Sequence, residues 1–217
     1  MKHTGNKKGI AALGMLVAFL LWTGVICFVD VRPVGPVGSA VGLAGINARM
    51  HAMTGVHGWM YILTDCLSLV PFGFMACFAM LGLYQWIHRK SLRKVDRSLL
   101  ILGGFYEILL GVYLLFETVV INYRPVLIEG VLEASYPSST TVLVMCVMLT
   151  GDLQLRQRVR KSACRKGITA LIWVFTAMMV LGRLACGVHW LSDILGGALL
   201  SAGLVLGYDA VCRRITE

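Results

Sequence analysis

Ile10-Ala-Ala-Leu-Gly-Met-Leu-Val-Ala-Phe-Leu-Leu-Trp-Thr-Gly-Val-Ile-Cys-Phe-Val29 carries no charged residue and follows Lys2, Lys7 and Lys8. About 20 such residues in a helix cover the hydrocarbon core of a bilayer. The run is longer than the apolar stretch of a secretory signal, and no small-x-small site closes it, so it reads as a retained span. Further apolar runs follow at 59–87, 99–121, 138–153, 168–185 and 190–211. Composition agrees: 58% of the 217 residues are hydrophobic and 14% charged, with a mean hydropathy of +0.77. Soluble domains carry about 45–50% apolar and about 25% charged residues. The expected fold is therefore an all-α integral-membrane protein, a six-transmembrane-helix bundle. Residues 1–98 would supply two spans and a long outer loop, residues 99–217 a core of four spans, and both would form one integral domain.

The net charge of +9 sorts by side. With six spans, sixteen cations fall on one face: Lys2, Lys7 and Lys8; Arg89, Lys90, Arg93, Lys94 and Arg97; Arg156, Arg158, Arg160, Lys161, Arg165 and Lys166; Arg213 and Arg214. Only Arg32, Arg49, Arg124 and Arg183 fall on the other. Cytoplasmic connections are the ones enriched in Lys and Arg, so both termini are expected in the cytoplasm of a multi-pass cell-membrane protein. The charge is then a topology signal with no nucleic-acid partner behind it. The seven cysteines are odd in number and lack a Cys-x-x-Cys or zinc spacing, so neither metal nor cofactor is expected. The first outer connection, 30–58, is rich in Gly and Pro and apolar enough to lie on the membrane or fold over the bundle.

Two of the outer arginines sit in notable settings. Arg124-Pro125 follows the third span, and Pro137-Ser-Ser-Thr140 opens the fourth. Gly182-Arg183 is followed by His189 and Asp193. His189 and Asp193 are four apart, so on a helix they share a face and the carboxylate can accept a hydrogen bond from the imidazole. That bond would set the tautomer and leave the other ring nitrogen as nucleophile or base. Arg124 and Arg183 supply planar, permanently charged forks for phosphate oxygens. The start of the fourth helix, with Ser138 and Ser139, adds backbone N–H groups and hydroxyls suited to an anion. Together these residues describe a phosphoryl pocket at the outer boundary.

These residues resemble the type 2 phosphatidic acid phosphatase superfamily, whose signature is Lys, six residues, Arg-Pro; then Pro-Ser-Gly-His; then Ser-Arg, five residues, His, three residues, Asp. The resemblance lies at Arg124-Pro125, at Pro137-Ser138, and at Arg183, His189 and Asp193, and it extends over about residues 99–212. It implies that His189 attacks phosphorus, that Asp193 orients it, and that Arg124, Arg183, Ser138 and its neighbouring amides hold the phosphate of a lipid phosphate or diphosphate at the extracytoplasmic face. No metal enters that scheme.

Three positions depart from the signature: Glu117 replaces the lysine, Gly182 the serine, and Thr140 the histidine. That histidine protonates the leaving oxygen, a role contributing about 10²–10⁴-fold. A lipid diphosphate needs less help, because it expels a lipid monophosphate whose second pKa is about 6, so a prenyl diphosphate such as undecaprenyl diphosphate is the expected substrate. Alternatively His51 or His57, from the first outer connection, supplies the acid. Glu117 is expected to pair with Arg124, Arg32 or Arg49, and Arg32 and Arg49 are candidates to replace the missing lysine. Asp65 and Glu107 are expected to make buried contacts between helices. A silent relative that binds lipid phosphate, and a phosphotransferase using the same residues, are the alternative functions.

Overall fold

The apolar runs become helices in a computed structural model that describes residues 2–216, with side chains at 5–215, so Lys2 among the tail cations lies outside the described side chains. In chain order these are α1 (Lys2–Phe28), α2 (Ala44–Thr54), α3 (Gly58–Leu67), α4 (Leu69–Arg89), α5 (Arg97–Thr118), α6 (Ser139–Arg158), α7 (Ser162–Ala185) and α8 (Leu191–Thr216). Among the described residues extended pairing is limited to isolated bridges. Five stretches are long and apolar enough to cross a membrane: α1, α3 and α4 taken as one, α5, α7 and α8. Their outward faces expose Leu20, Leu21, Ile62, Leu171 and Val174, as expected where lipid replaces water. This is a multi-pass membrane protein.

The run at 59–87 is broken, not continuous. Pro71 has no N–H and its ring crowds the carbonyl four residues earlier, and the chain turns at Ser68 between α3 and α4. The run expected at 138–153 becomes α6, which differs from the other long helices in being enclosed. More than half of its residues are buried, including Thr150, Asp152 and Gln154. Those polar residues find partners inside the bundle: Gln154 Nε2 donates to the Ser98 carbonyl at 3.0 Å and to the Tyr208 hydroxyl, and Asp152 Oδ1 accepts from Thr169 at 2.7 Å. Glu107, in contrast to expectation, points outward from α5 and is exposed.

α1 and α8 lie antiparallel against each other. Near one end Lys8 pairs with Asp209, and Arg214 donates to Asn6, so the two chain ends lie together. Asp96 joins the same end, accepting from Gln85 and Arg89 and pairing with Arg158. The other end gathers the segments 29–57, 119–138 and 186–190. The first of these folds over the bundle. Arg32 and Val41 pair as an antiparallel bridge, Gly42 sits directly on the Ile26 carbonyl with no room for a Cβ, and α2 packs on the start of α8.

Glycine permits the tightest of these approaches. A Cβ at Gly196 in α8 would overlap the ring of Tyr136, which is itself fully buried. Small residues allow such close packing where lipid supplies no hydrophobic drive between helices. Gly196→Ala is expected to destabilise the bundle by about 1–3 kcal/mol through overpacking, read as a lower Tm in detergent; an unchanged Tm would show that Tyr136 does not bear on α8.

Candidate active site

Arg183 is the best-anchored group at the end opposite the chain termini. It sits on the last turn of α7 and is 3% exposed. Nη2 donates to Thr140 Oγ1 at 2.7 Å, Nη1 donates to Thr64 Oγ1 at 3.2 Å, and Asp65 Oδ1 lies 3.7 Å from Nη2. The guanidinium also lies over the Tyr61 ring, 5.1 Å from its centre. One residue thus joins α3, α6 and α7. Gly182 now has a reason: a Cβ there would stand 2.9 Å from Thr64 Cγ2, so a serine would push α3 away. Asp65 makes its contact from an exposed position, not the buried one expected.

His189 lies in the turn between α7 and α8 and is 2% exposed, with neither ring nitrogen hydrogen-bonded. Its Nδ1 is 3.7 Å from Asp193 Oδ2, an ion-pair distance too long for the hydrogen bond expected. The reason is local. α8 begins at Leu191, after His189, so the two residues do not share a helical face. Asp193 Oδ2 instead accepts the Trp190 N–H at 2.9 Å, the back-reaching half of a capping box. Burial pushes the imidazole down to about 4; Asp193 works against this, while the charges of Arg124 and Arg183 add to it.

The turn is held from above. Gly187 adopts φ +73° and lies against the Gly55 carbonyl, so any side chain would be strained and would overlap it. His51 Nε2 meets the Gly187 carbonyl at 3.1 Å, and the His51 ring lies 5.5 Å from that of Trp190. His57 is exposed and turned to the Thr54 carbonyl at 2.9 Å. Both histidines bind the segment that carries His189, His51 through its ring and His57 through its backbone N–H, which donates to the Cys186 carbonyl at 3.0 Å.

Arg124 lies on a narrow loop closed by the bridges Tyr123 to Ala134 and Ile128 to Val131. It is 8% exposed; Nε is 3.0 Å from Glu133 Oε2, and Nη1 is buried without a hydrogen bond. Glu133, rather than Glu117, is therefore its partner. Arg32 is taken by Asp30 at 2.7 Å, and Arg49 is exposed on α2, so neither is paired to Glu117, which stands beside Tyr113. Ser138 differs from expectation too. Its hydroxyl caps α6, accepting from Thr141 N at 3.4 Å and Thr141 Oγ1 at 3.1 Å, and its N–H donates to the Asp193 carbonyl at 3.2 Å. Ser138 binds helix to helix, leaving Ser139 and Thr140 as the hydroxyls that reach open space.

That space is a groove of about 430 Å³ between α4, α5 and α6. Its walls are apolar, with Phe72, Met75, Leu109, Phe116 and Leu143 among them, and its polar edge holds Glu117, Ser139 and Thr140. Thr140 connects the two regions, lining the groove and accepting from Arg183. Sequence reading passed over Thr64 and Asn122. Asn122, two residues before Arg124 and 1% exposed, reaches Asp193 Oδ1 with Nδ2 at 3.4 Å.

The family model described as "PAP2 superfamily" matches residues 117–214, the stretch that holds Arg124, Thr140, Arg183, His189 and Asp193. The chain is thus similar to the PAP2 superfamily over residues 117–214. The crystal structure of a transmembrane PAP2-type phosphatidylglycerolphosphate phosphatase from Bacillus subtilis is similar with a TM-score of 0.62 and 16% identity, over 94% of this chain and 96% of that one. At that identity the likeness is one of fold, and it takes in α1 to α4 as well as the PAP2 segment. No curated protein matches the chain in sequence.

The lowered pKa of His189 in this PAP2 segment has a definite sign. An unfolded imidazole takes its proton near 6.5 and the folded one near 4. Between those values the unfolded state binds more protons, so the contribution to stability is complete above about 6.5 and is lost as pH falls toward 4. The wild-type Tm should therefore drop relative to His189→Gln as pH is lowered through that window. Parallel curves would contradict the buried neutral imidazole.

Proposed function

We propose that the protein is an integral-membrane lipid phosphatase or diphosphatase that works through a phosphohistidine at the extracytoplasmic face. The observation that carries this reading is the meeting of Arg124, Arg183 and His189, all more than nine-tenths buried and with unpaired nitrogens, beside an apolar groove. Two buried guanidiniums that keep N–H groups without a hydrogen-bond partner, although Glu133 and Asp65 lie beside them, favour an anion, and the groove suits a lipid chain. Termini and cytoplasmic-type basic connections share one end, which supports placing the site outside.

In this scheme Nδ1 of His189 faces Asp193, and Nε2 attacks phosphorus. The new N–P bond forms as the bond to the leaving oxygen breaks, and the two arginines stabilise the charge on the equatorial oxygens. Thr140 Oγ1 accepts from Arg183, which leaves its own proton to donate to a phosphoryl oxygen. Water then attacks phosphorus, gives up a proton, and phosphate departs as the N–P bond breaks. A hydroxyl is a poor acid at neutral pH, so we favour a prenyl diphosphate, whose leaving group is a lipid monophosphate. His51 is the candidate acid of the outer segment because its ring touches the turn bearing His189.

A silent lipid-phosphate-binding relative is the second reading, supported by Thr140 and by the Glu133 carboxylate on Arg124; a phosphotransferase would share every step up to the attack of water. Phosphate release should be measured in detergent with prenyl diphosphate, phosphatidic acid and phosphatidylglycerolphosphate. Release is expected from the diphosphate by about tenfold or more over the monoesters, given the weight of a missing acid. His189→Ala should abolish it, and His51→Ala should lower it while His57→Ala does not. Faster release from phosphatidic acid would overturn the diphosphate preference, and equal background with wild type and His189→Ala on every substrate would favour the silent relative.

A further inference from the structure

The first turn of α8 carries Asp193, and a helix start has backbone N–H groups with no partner of their own. Here the Ser192 N–H is satisfied from α2, and the side chains of Ser192 and Asp193 are met from the loop that leads to Arg124. Asn47 of α2 accepts the Ser192 N–H on Oδ1 at 3.1 Å, and its Nδ2 donates to Ser192 Oγ at 2.9 Å and to the Gly42 carbonyl at 2.8 Å. Asn122, on the loop that leads to Arg124, accepts the Gly42 N–H on Oδ1 at 3.1 Å. Its Nδ2 faces Asp193 Oδ1 at 3.4 Å and Ser192 Oγ at 3.5 Å, and Ser192 Oγ is itself 3.5 Å from Asp193 Oδ1. Trp22 of α1 closes the set by donating Nε1 to the Ser192 carbonyl at 3.1 Å. Asn47, Asn122 and Ser192 are each 1% exposed and Asp193 is fully buried.

This network divides the carboxylate between two tasks. Oδ2 caps Trp190 and faces His189, while Oδ1 receives what Asn122 and Ser192 offer. A buried carboxylate stays charged only where donors meet it, and around Asp193 the other charged or titratable groups are His189 at 3.7 Å, Tyr136, and Arg124 and Arg183 acting on His189. Asn122 holds no position at the phosphate itself.

We infer that Asn122, with Asn47 and Ser192 behind it, is a positioning residue that supplies donors to one oxygen of Asp193 and keeps the other turned toward His189, making the outer segment 30–58 part of the catalytic frame. The inference rests on the proposed phosphatase reading. It distinguishes the segment from a mobile cover, because Asn47 binds Ser192 in the turn that holds the carboxylate and Gly42 binds both Asn47 and Asn122.

Asn122→Asp tests it with little change of shape. The new carboxyl still accepts from Gly42, but donates to Asp193 only when protonated. At about pH 8 its kcat should fall roughly tenfold or more with KM within about twofold, and activity should recover relative to wild type as pH is lowered toward about 5.5, the range where two facing carboxyls share a proton. A residue with a merely structural role would lower activity equally at every pH, so a wild-type profile, or a uniform loss, overturns the inference. If the variant is not recovered folded, Ser192→Ala serves instead: a several-fold loss of kcat at unchanged KM is expected, and unchanged kcat overturns it. If the wild type releases phosphate from no lipid, the phosphatase reading fails by itself, and the contact is read from stability. The Tm deficit of Asn122→Asp should then shrink as pH falls, and a constant deficit rejects the contact.

Discussion

A guanidinium enclosed where helices meet is costly unless polar groups and aromatic faces engage it, and Arg183 sets that constraint on the end of the bundle opposite the chain termini. Thr64, Asp65 and Tyr61 meet it from α3, and Thr140 from α6. The end of α3 must approach α7 closely enough for these contacts, which is why residue 182 is glycine and why the helix carrying Tyr61 and Thr64 is separate from α4. The same fork holds Thr140 where the apolar groove ends. Fold and site are therefore coupled through one side chain: what satisfies the arginine also places the hydroxyl, the groove and the turn bearing His189.

Most of the architecture was legible because apolar length is a direct physical requirement of the bilayer. The uncharged run 10–29 and its successors mark α1, α5, α7 and α8, whose polar ends extend beyond the apolar runs by up to eight residues, and Pro137-Ser138 marks the start of α6 through its cap. What was not legible depends on distant partners. The sequence contained Pro71, but whether a proline bends or breaks a helix is decided by what packs on either side. Asn47 reads as one polar residue in an apolar, glycine-rich stretch, and its role exists only because Ser192 lies beside it in space.

The site divides in the same way. The spacing of Arg183, His189 and Asp193 anticipated that the three lie near one another, because those residues are joined by a short connection. The bond between His189 and Asp193 was misread because helical geometry was assumed for a residue that precedes the helix. Ser138 reads from the sequence as a phosphate ligand, and in the structure its hydroxyl oxygen also accepts from Thr141, the capping role that opens α6. Nothing in the sequence separates Glu133 from any other loop acid, yet it holds Arg124. An isolated Asn122 in Ile121-Asn-Tyr-Arg124 was the one available hint of a second polar layer.

Charge at this end is finely placed. Arg124 is shared with Glu133, Arg183 is spread over hydroxyls and an aromatic face, and His189 is held neutral by burial. A neutral imidazole is the form that attacks phosphorus. The proposed reaction turns on a bond between His189 and phosphorus, and the direct measurement is rapid acid-free quenching of the detergent-solubilised protein with a lipid diphosphate radiolabelled at its terminal phosphate. A protein-bound label that survives alkali, is lost in acid, and is absent in His189→Gln is expected. Label retained in that variant, or turnover with no protein-bound label at any time, would contradict it.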